Sequence, residues 1–109
     1  MSRSSKKKER DLLYDAILTL KDKEECKRFF RDLCTISELR AMEQRFEVAR
    51  LLSEGMIYND ILALTGASSA TISRVNRSLL YGEGTYEEIL PRVQDKIKEQ
   101  TESDSDGKL

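Results

Sequence analysis

The stretch between Thr65 and Leu80 contains small polar side chains and two arginines but no acidic residue. Arg74 and Arg77 are three residues apart, so a helix would place both on one face, beside Ser73. Serine and threonine bind phosphate oxygens, and arginine binds phosphate or the edge of guanine. Small side chains also let a helix approach base edges closely. The predicted DNA-binding residues are Ser68, Ser69, Ala70, Thr71, Ser73, Arg74 and Arg77.

The residues around this surface have the pattern of a helix-turn-helix at about 57–81. Gly66 can adopt the positive φ of a tight turn between two crossing helices. Ser68 or Ser69 can cap the second helix. The residues expected to be buried are Ile61, Leu62 and Leu64 in the first helix and Ile72, Val75 and Leu79 in the second.

Two features depart from this motif. Leu62 stands where an alanine is usual at the helix crossing, and Thr65 precedes the turn glycine where an apolar residue is common. The alternative interpretation of the segment is an ordinary helical hairpin with a solvated polar face. For the whole protein, the alternative function is a helical protein-interaction module that keeps the fold without DNA binding.

Helical periodicity also governs the rest of the chain, and no segment alternates polar and apolar residues over the length of a strand. Thr35 and Glu38 form the capping-box pattern that marks the start of the longest helix. Pro91 predicts either a shifted start or a kink in the last helix. We predict an all-α fold whose six helices cover residues 8–20, 22–34, 36–54, 57–65, 69–81 and about 85–97.

Charge is distributed unevenly along the 109 residues, although 19 basic and 20 acidic side chains nearly cancel. We predict that residues 1–7 form a basic and flexible arm, residues 8–100 the helical domain, and residues 101–109 an acidic and disordered tail. The near-zero net charge therefore does not exclude DNA binding. It limits the number of phosphate contacts per chain, and a dimer would double them.

Several function classes find no support in the composition. The chain has no histidine, and Cys26 and Cys34 alone cannot form a structural zinc site. No set of reactive groups converges, so we predict neither catalytic residues nor a metal site and expect that the protein is not an enzyme. No apolar run reaches the roughly 18 residues of a membrane span. We expect a cytoplasmic protein with reduced cysteines.

The string Gly66-Ala67-Ser68-Ser69-Ala70-Thr71-Ile72-Ser73-Arg74, with the run from Leu33 to Glu38 and with Ser78-Leu79, resembles the Trp repressor superfamily. The resemblance is closest to its bacterial YerC/YecD branch and covers roughly residues 10–97. It implies a six-helix fold, an intertwined homodimer and a transcriptional repressor. The two helix-turn-helix units would bind a palindromic operator of double-stranded DNA, about 34 Å apart.

The resemblance also implies a corepressor pocket between the long central helix and the second helix of the motif. The matching residues are Thr35, Arg45, Arg74 and Ser78, and Arg45 matches only with a one-residue gap. Arg74 also fits two other roles, a DNA contact and a plain surface arginine. Val75 stands where the Trp repressor has glycine, and its branched side chain would fill volume that an indole needs. We therefore expect no tryptophan cofactor, and a different small corepressor remains the alternative.

Overall fold

The computed structural model describes the backbone of residues 11–107 and the side chains of residues 11–99, and every regular element in this part is an α-helix. The prediction of six helices and no sheet is confirmed for these residues. The predicted basic arm, residues 1–7, lies outside them. The helices are α1 over residues 11–18, α2 Lys23–Leu33, α3 Ile36–Ser53, α4 Tyr58–Thr65, α5 Ser69–Tyr81 and α6 Thr85–Gly107.

The last helix differs most from the sequence-based expectation. It begins at Thr85 and continues through Pro91, so the proline does not shift its start. Because proline has no N–H, Pro91 leaves the carbonyl of Glu87 without its helical partner. Both residues are exposed, so water can bind this carbonyl instead. The helix then runs to Gly107, so the domain boundary that we predicted at residue 100 falls within it. Backbone hydrogen bonds can continue through an acidic sequence because they need no apolar side chains.

The chain divides into two compact units, residues 1–41 and residues 42–109. In the first unit, none of the side chains of residues 11–41 is buried. Phe29 and Phe30 are half-buried and meet edge to face, with their ring centroids 5.6 Å apart. Leu18 is 83% exposed and Ile36 is 73% exposed. The first unit of a single chain therefore has no fully buried side chain among residues 11–41 and leaves large apolar groups open to solvent.

The second unit contains the buried core. Three helices and the turn between α4 and α5 contribute to one cluster. Its members are Val48, Ala49, Leu51, Ile61, Ala67, Ile72 and Val75. Tyr86 of α6 packs against the cluster, and its ring lies 6.3 Å from that of Phe46. Full burial of each large aliphatic side chain stabilises the fold by about 1.5–3 kcal/mol.

Two residues that we expected in this core are outside it. Leu62 is 38% exposed and Leu64 is 68% exposed. An eight-residue helix such as α4 makes little more than two turns, so only one narrow face can meet the core. Ile61 occupies that face, whereas Leu64 lies about 60° further round the helix axis.

The capping box at the start of α3 is present as predicted. The Glu38 N–H donates to Thr35 Oγ1 over 3.1 Å, and the Thr35 N–H donates to Glu38 Oε1 over 2.8 Å. The bonds from the backbone N–H of Thr35, and then from its hydroxyl, lower the pKa of the Glu38 carboxyl below its ordinary value of 4.5.

This pKa shift predicts a contribution of Glu38 to the pH dependence of stability. Because the folded-state pKa is depressed, the contribution is present above the unfolded-state pKa and is lost as the pH falls through the folded-state pKa. We expect Glu38→Gln to lose less thermal stability than the wild type between about pH 6 and about pH 3. Glu43→Gln removes the same charge from α3 outside the capping box, and its Tm should follow the wild-type curve. Parallel curves for the wild type and Glu38→Gln would contradict the prediction.

Candidate nucleic-acid interface

The turn between α4 and α5 is built on a left-handed glycine. Gly66 has φ 72° and ψ 6°, and its N–H donates to the carbonyl of Leu62 over 2.9 Å. Apart from Gly66 itself and its two chain neighbours, no heavy atom lies within 4 Å of the position that a Cβ would take. The backbone conformation, and not a lack of space, is therefore the reason for glycine at this position.

Helix α5 begins at Ser69 and is capped by the residue before it. Ser68 has extended backbone angles, and its Oγ accepts from the Thr71 N–H over 3.1 Å. The two hydroxyls of Ser68 and Thr71 are 3.0 Å apart and form a second hydrogen bond. Of the two serines that we proposed as caps, Ser68 has this role, and Ser69 is the first helical residue.

The core determines which side of α5 faces outward. Ile72 is fully buried and Val75 is 3% exposed, so the side of the helix that carries them is packed against α3 and α4. Ser73, Arg74 and Arg77 are exposed on the remaining surface of the helix. The structure thus brings together most of the predicted DNA-binding residues on one accessible side of α5.

A groove of about 470 Å³ runs along this exposed side. Sequence reasoning assigned four of the residues that line it, and it missed three others. The lining residues are Tyr58, Ala70, Ser73, Arg74, Asn76, Arg77 and Leu80. The helical spacing of Asn76 and Leu80 from Ser73 and Arg77 was a usable signal. Tyr58 comes from the start of α4, and its place depends on how the two helices cross, which their separate periodicities do not reveal.

The groove has a positive electrostatic character. It is lined by two guanidinium groups and no carboxylate. Within the described residues, neither Arg74 nor Arg77 takes part in an ion pair, so both charges are available to a ligand. Between residues 57 and 82, Asp60 is the one acidic residue. Small hydroxyl side chains beside two available arginines form a surface that fits anionic oxygens.

The four residues predicted to line a corepressor pocket have different surroundings. Thr35 belongs to the first unit, where its hydroxyl completes the capping box. Arg45 is exposed on α3 and does not line the groove. Arg74 lines the groove, and the Ser78 hydroxyl donates to the Arg74 carbonyl over 3.4 Å. The pocket therefore stays a prediction.

Val75 occupies a packed position. It belongs to the same buried cluster as Val48 and Ala49 of α3. A glycine in its place would leave a void beside α3, because protein interiors are close-packed. The valine side chain fills that volume in the second unit.

The family model described as Trp repressor protein matches residues 8–94. YerC of Bacillus subtilis, whose function is uncharacterised, is 54% identical over 101 residues that cover 93% of this chain and 92% of YerC. This chain belongs to the Trp repressor family.

Two solved structures support the assignment to this family. A candidate Trp repressor from Staphylococcus aureus superposes with a TM-score of 0.75 at 50% identity, covering 77% of this chain and 84% of that one. A TrpR-like protein from Eubacterium eligens also gives a TM-score of 0.75, at 52% identity, over 77% of this chain and 87% of its own. The Trp-repressor-like helical fold is thus shared at high sequence identity.

The described residues contain neither a candidate membrane helix nor a candidate metal cluster. None of the helices in the described residues combines the length and the apolar composition that a membrane crossing requires. In the same residues, no cluster of three or more Cys, Asp or Glu side chains is placed to hold a metal ion.

The cap of α5 leads to a stability prediction with a matched control. Ser68→Ala removes the side-chain acceptor of the Thr71 N–H, and we expect it to lower the free energy of unfolding by about 1 kcal/mol. Ser69→Ala makes the same chemical change one residue later, inside the helix, and should change it by less than about 0.5 kcal/mol. Urea denaturation without DNA measures both values. Equal destabilisation by the two variants would contradict the role assigned to Ser68.

Proposed function

We propose that this protein is a sequence-specific DNA-binding transcriptional regulator, a repressor, that acts as a homodimer through its helix-turn-helix. The observation that carries the proposal is the exposed side of α5, where Arg74 and Arg77 stand beside small polar residues in a groove without acidic groups. Membership of the Trp repressor family supports the same conclusion.

The two parts of α5 would have different tasks on DNA. Its first turns carry Ser69, Ala70 and Ser73, whose short side chains let the helix enter the major groove and approach base edges. The longer side chains of Arg74 and Arg77 can reach phosphates or guanine from the same side. Tyr58, at the start of α4, lines the same groove, and its hydroxyl can donate to a phosphate oxygen.

The homodimer is proposed for two physical reasons. One chain offers only two arginines on its recognition helix, so a single helix-turn-helix would release few counterions and bind weakly. The first unit also leaves large apolar side chains such as Leu18 and Ile36 exposed, and a second copy of the chain can cover them. Two-fold symmetry would then match a palindromic operator with half-sites about 34 Å apart.

The alternative function is a helical interaction module that retains the family fold without DNA affinity. The exposure of Leu64, Leu80 and Tyr81 on the helix-turn-helix favours it, because apolar side chains on a surface fit a protein partner. The two functions differ in their demand for positive charge in the groove.

Charge reversal in the groove separates these functions. We expect Arg77→Glu to weaken binding to a selected operator and to random duplex DNA by at least about tenfold, because it replaces an attraction to phosphate by a repulsion. Arg74→Glu with Arg77→Glu should abolish binding at moderate salt. Fluorescence anisotropy measures the affinities, and sedimentation checks that the oligomeric state is unchanged.

The matched control for this experiment is Arg92→Glu. It changes the net charge by the same amount at an exposed position of α6 that does not line the groove. Its DNA affinity should stay near that of the wild type. If the double variant still binds DNA, or if the wild type yields no consensus sequence from a DNA pool at low salt, the interaction module is the better description.

Tryptophan binding is the remaining prediction about function. Because Val75 is packed into the core where the Trp repressor has glycine, we expect this protein to bind no tryptophan, with any corepressor being a different small molecule. Titration calorimetry with millimolar tryptophan should give only the heat of dilution. A saturable heat would overturn this expectation and would make Thr35, Arg45, Arg74 and Ser78 the residues to substitute next.

A further inference from the structure

Thr65 makes two hydrogen bonds that close the turn of the helix-turn-helix. Its Oγ1 donates to the carbonyl of Ile61 over 2.7 Å and accepts from the Ala67 N–H over 3.1 Å. One hydroxyl thus links the last turn of α4 to the residue after Gly66. An apolar residue, common at this place in such motifs, would make neither bond. The side chain is partly buried, so little water competes for these bonds.

Gln44 connects the same turn to the long helix α3. Its Nε2 donates to the backbone carbonyl of Thr65 over 3.2 Å, across a sequence separation of 21 residues. The carbonyl lies at the C-terminal end of α4, where helical carbonyls lack helical partners. Gln44 therefore supplies a partner to this carbonyl and attaches the end of α4 to α3.

From these bonds we infer that Gln44 and Thr65 position the recognition helix α5 for reading base edges. We name the pair the Gln44–Thr65 brace. The inference rests on the proposed DNA-binding function and assigns a role to two residues that do not line the groove. The brace holds the turn on which the direction of α5 depends, because Ala67 and Ser68 connect it directly to Ser69.

The brace should affect specific and non-specific binding differently. Base edges are read by hydrogen bonds, whose strength falls steeply with misalignment. Phosphate contacts in random DNA depend mainly on charge and tolerate a tilted helix. A loosened turn should therefore weaken operator binding while leaving affinity for random duplexes almost unchanged. A residue that only stabilises the fold would alter both affinities together, or neither.

Two substitutions test the two halves of the brace. Thr65→Val keeps the shape of the side chain and removes both hydroxyl bonds. Thr65→Ser retains the hydroxyl and should therefore keep the wild-type preference for the operator. Gln44→Met keeps the length and removes the donor to the Thr65 carbonyl. The control is Thr19→Val, which removes a threonine hydroxyl bond of 2.7 Å to the carbonyl of Ala16, far from the motif in sequence.

The measurement is the ratio of the affinity for a selected operator to that for a random duplex of equal length, below the Tm of every variant. We expect Thr65→Val and Gln44→Met each to lower this ratio about tenfold, comparable to the loss of one base contact. Thr65→Ser and Thr19→Val should keep the wild-type ratio. Amide exchange at Gly66 and Ala67 should accelerate in Thr65→Val.

The outcomes distinguish this inference from the proposed function. An unchanged ratio in both brace variants, or an equal loss for operator and random DNA, overturns the brace while DNA binding stands. If Thr65→Val does not fold, Gln44→Met alone decides, since it leaves the hydroxyl bonds of the turn in place. A wild-type protein without preference for any DNA sequence overturns the proposed function, and the brace with it.

Discussion

The packing of α5 against α3 and α4 is the contact on which the candidate interface depends. Ile72 and Val75 enter the cluster that Val48, Ala49 and Ile61 form, and this burial sets the rotation of α5 about its own axis. With that rotation set, the arginines and small polar residues have one possible direction, away from the core. The turn completes the arrangement, because a left-handed glycine and a serine cap determine where α5 begins. Apolar packing on the inner side of α5 thus determines which residues form its outer surface.

Much of this arrangement was predictable because it is encoded locally. Helical periodicity predicts α5, and Gly66 indicates the turn before it. The capping box of Thr35 and Glu38 predicts the start of α3 from residues that are close in sequence. The sequence string that resembles the Trp repressor superfamily identified the fold, and the family comparison confirms it.

What was not predictable depends on contacts between elements. Tyr58 joins the groove only through the crossing of α4 and α5, and Leu64 is exposed because a short helix can bury only one face. Thr65 departs from the usual motif, and its hydroxyl bonds to Ile61 and Ala67 explain the departure only in the folded structure. Periodicity reports which face of a helix is apolar, but it does not report what meets that face.

The separation of the two sides of α5 has a consequence for how this helix can vary in sequence. Ser69, Ala70 and Ser73 are exposed and do not belong to the core cluster, so exchanging them costs little folding free energy. The outer surface of α5 can therefore vary while the buried residues, and with them the fold, stay as they are. If α5 reads base edges as proposed, a few codon changes on its outer side would alter the preferred DNA sequence without passing through an unstable protein.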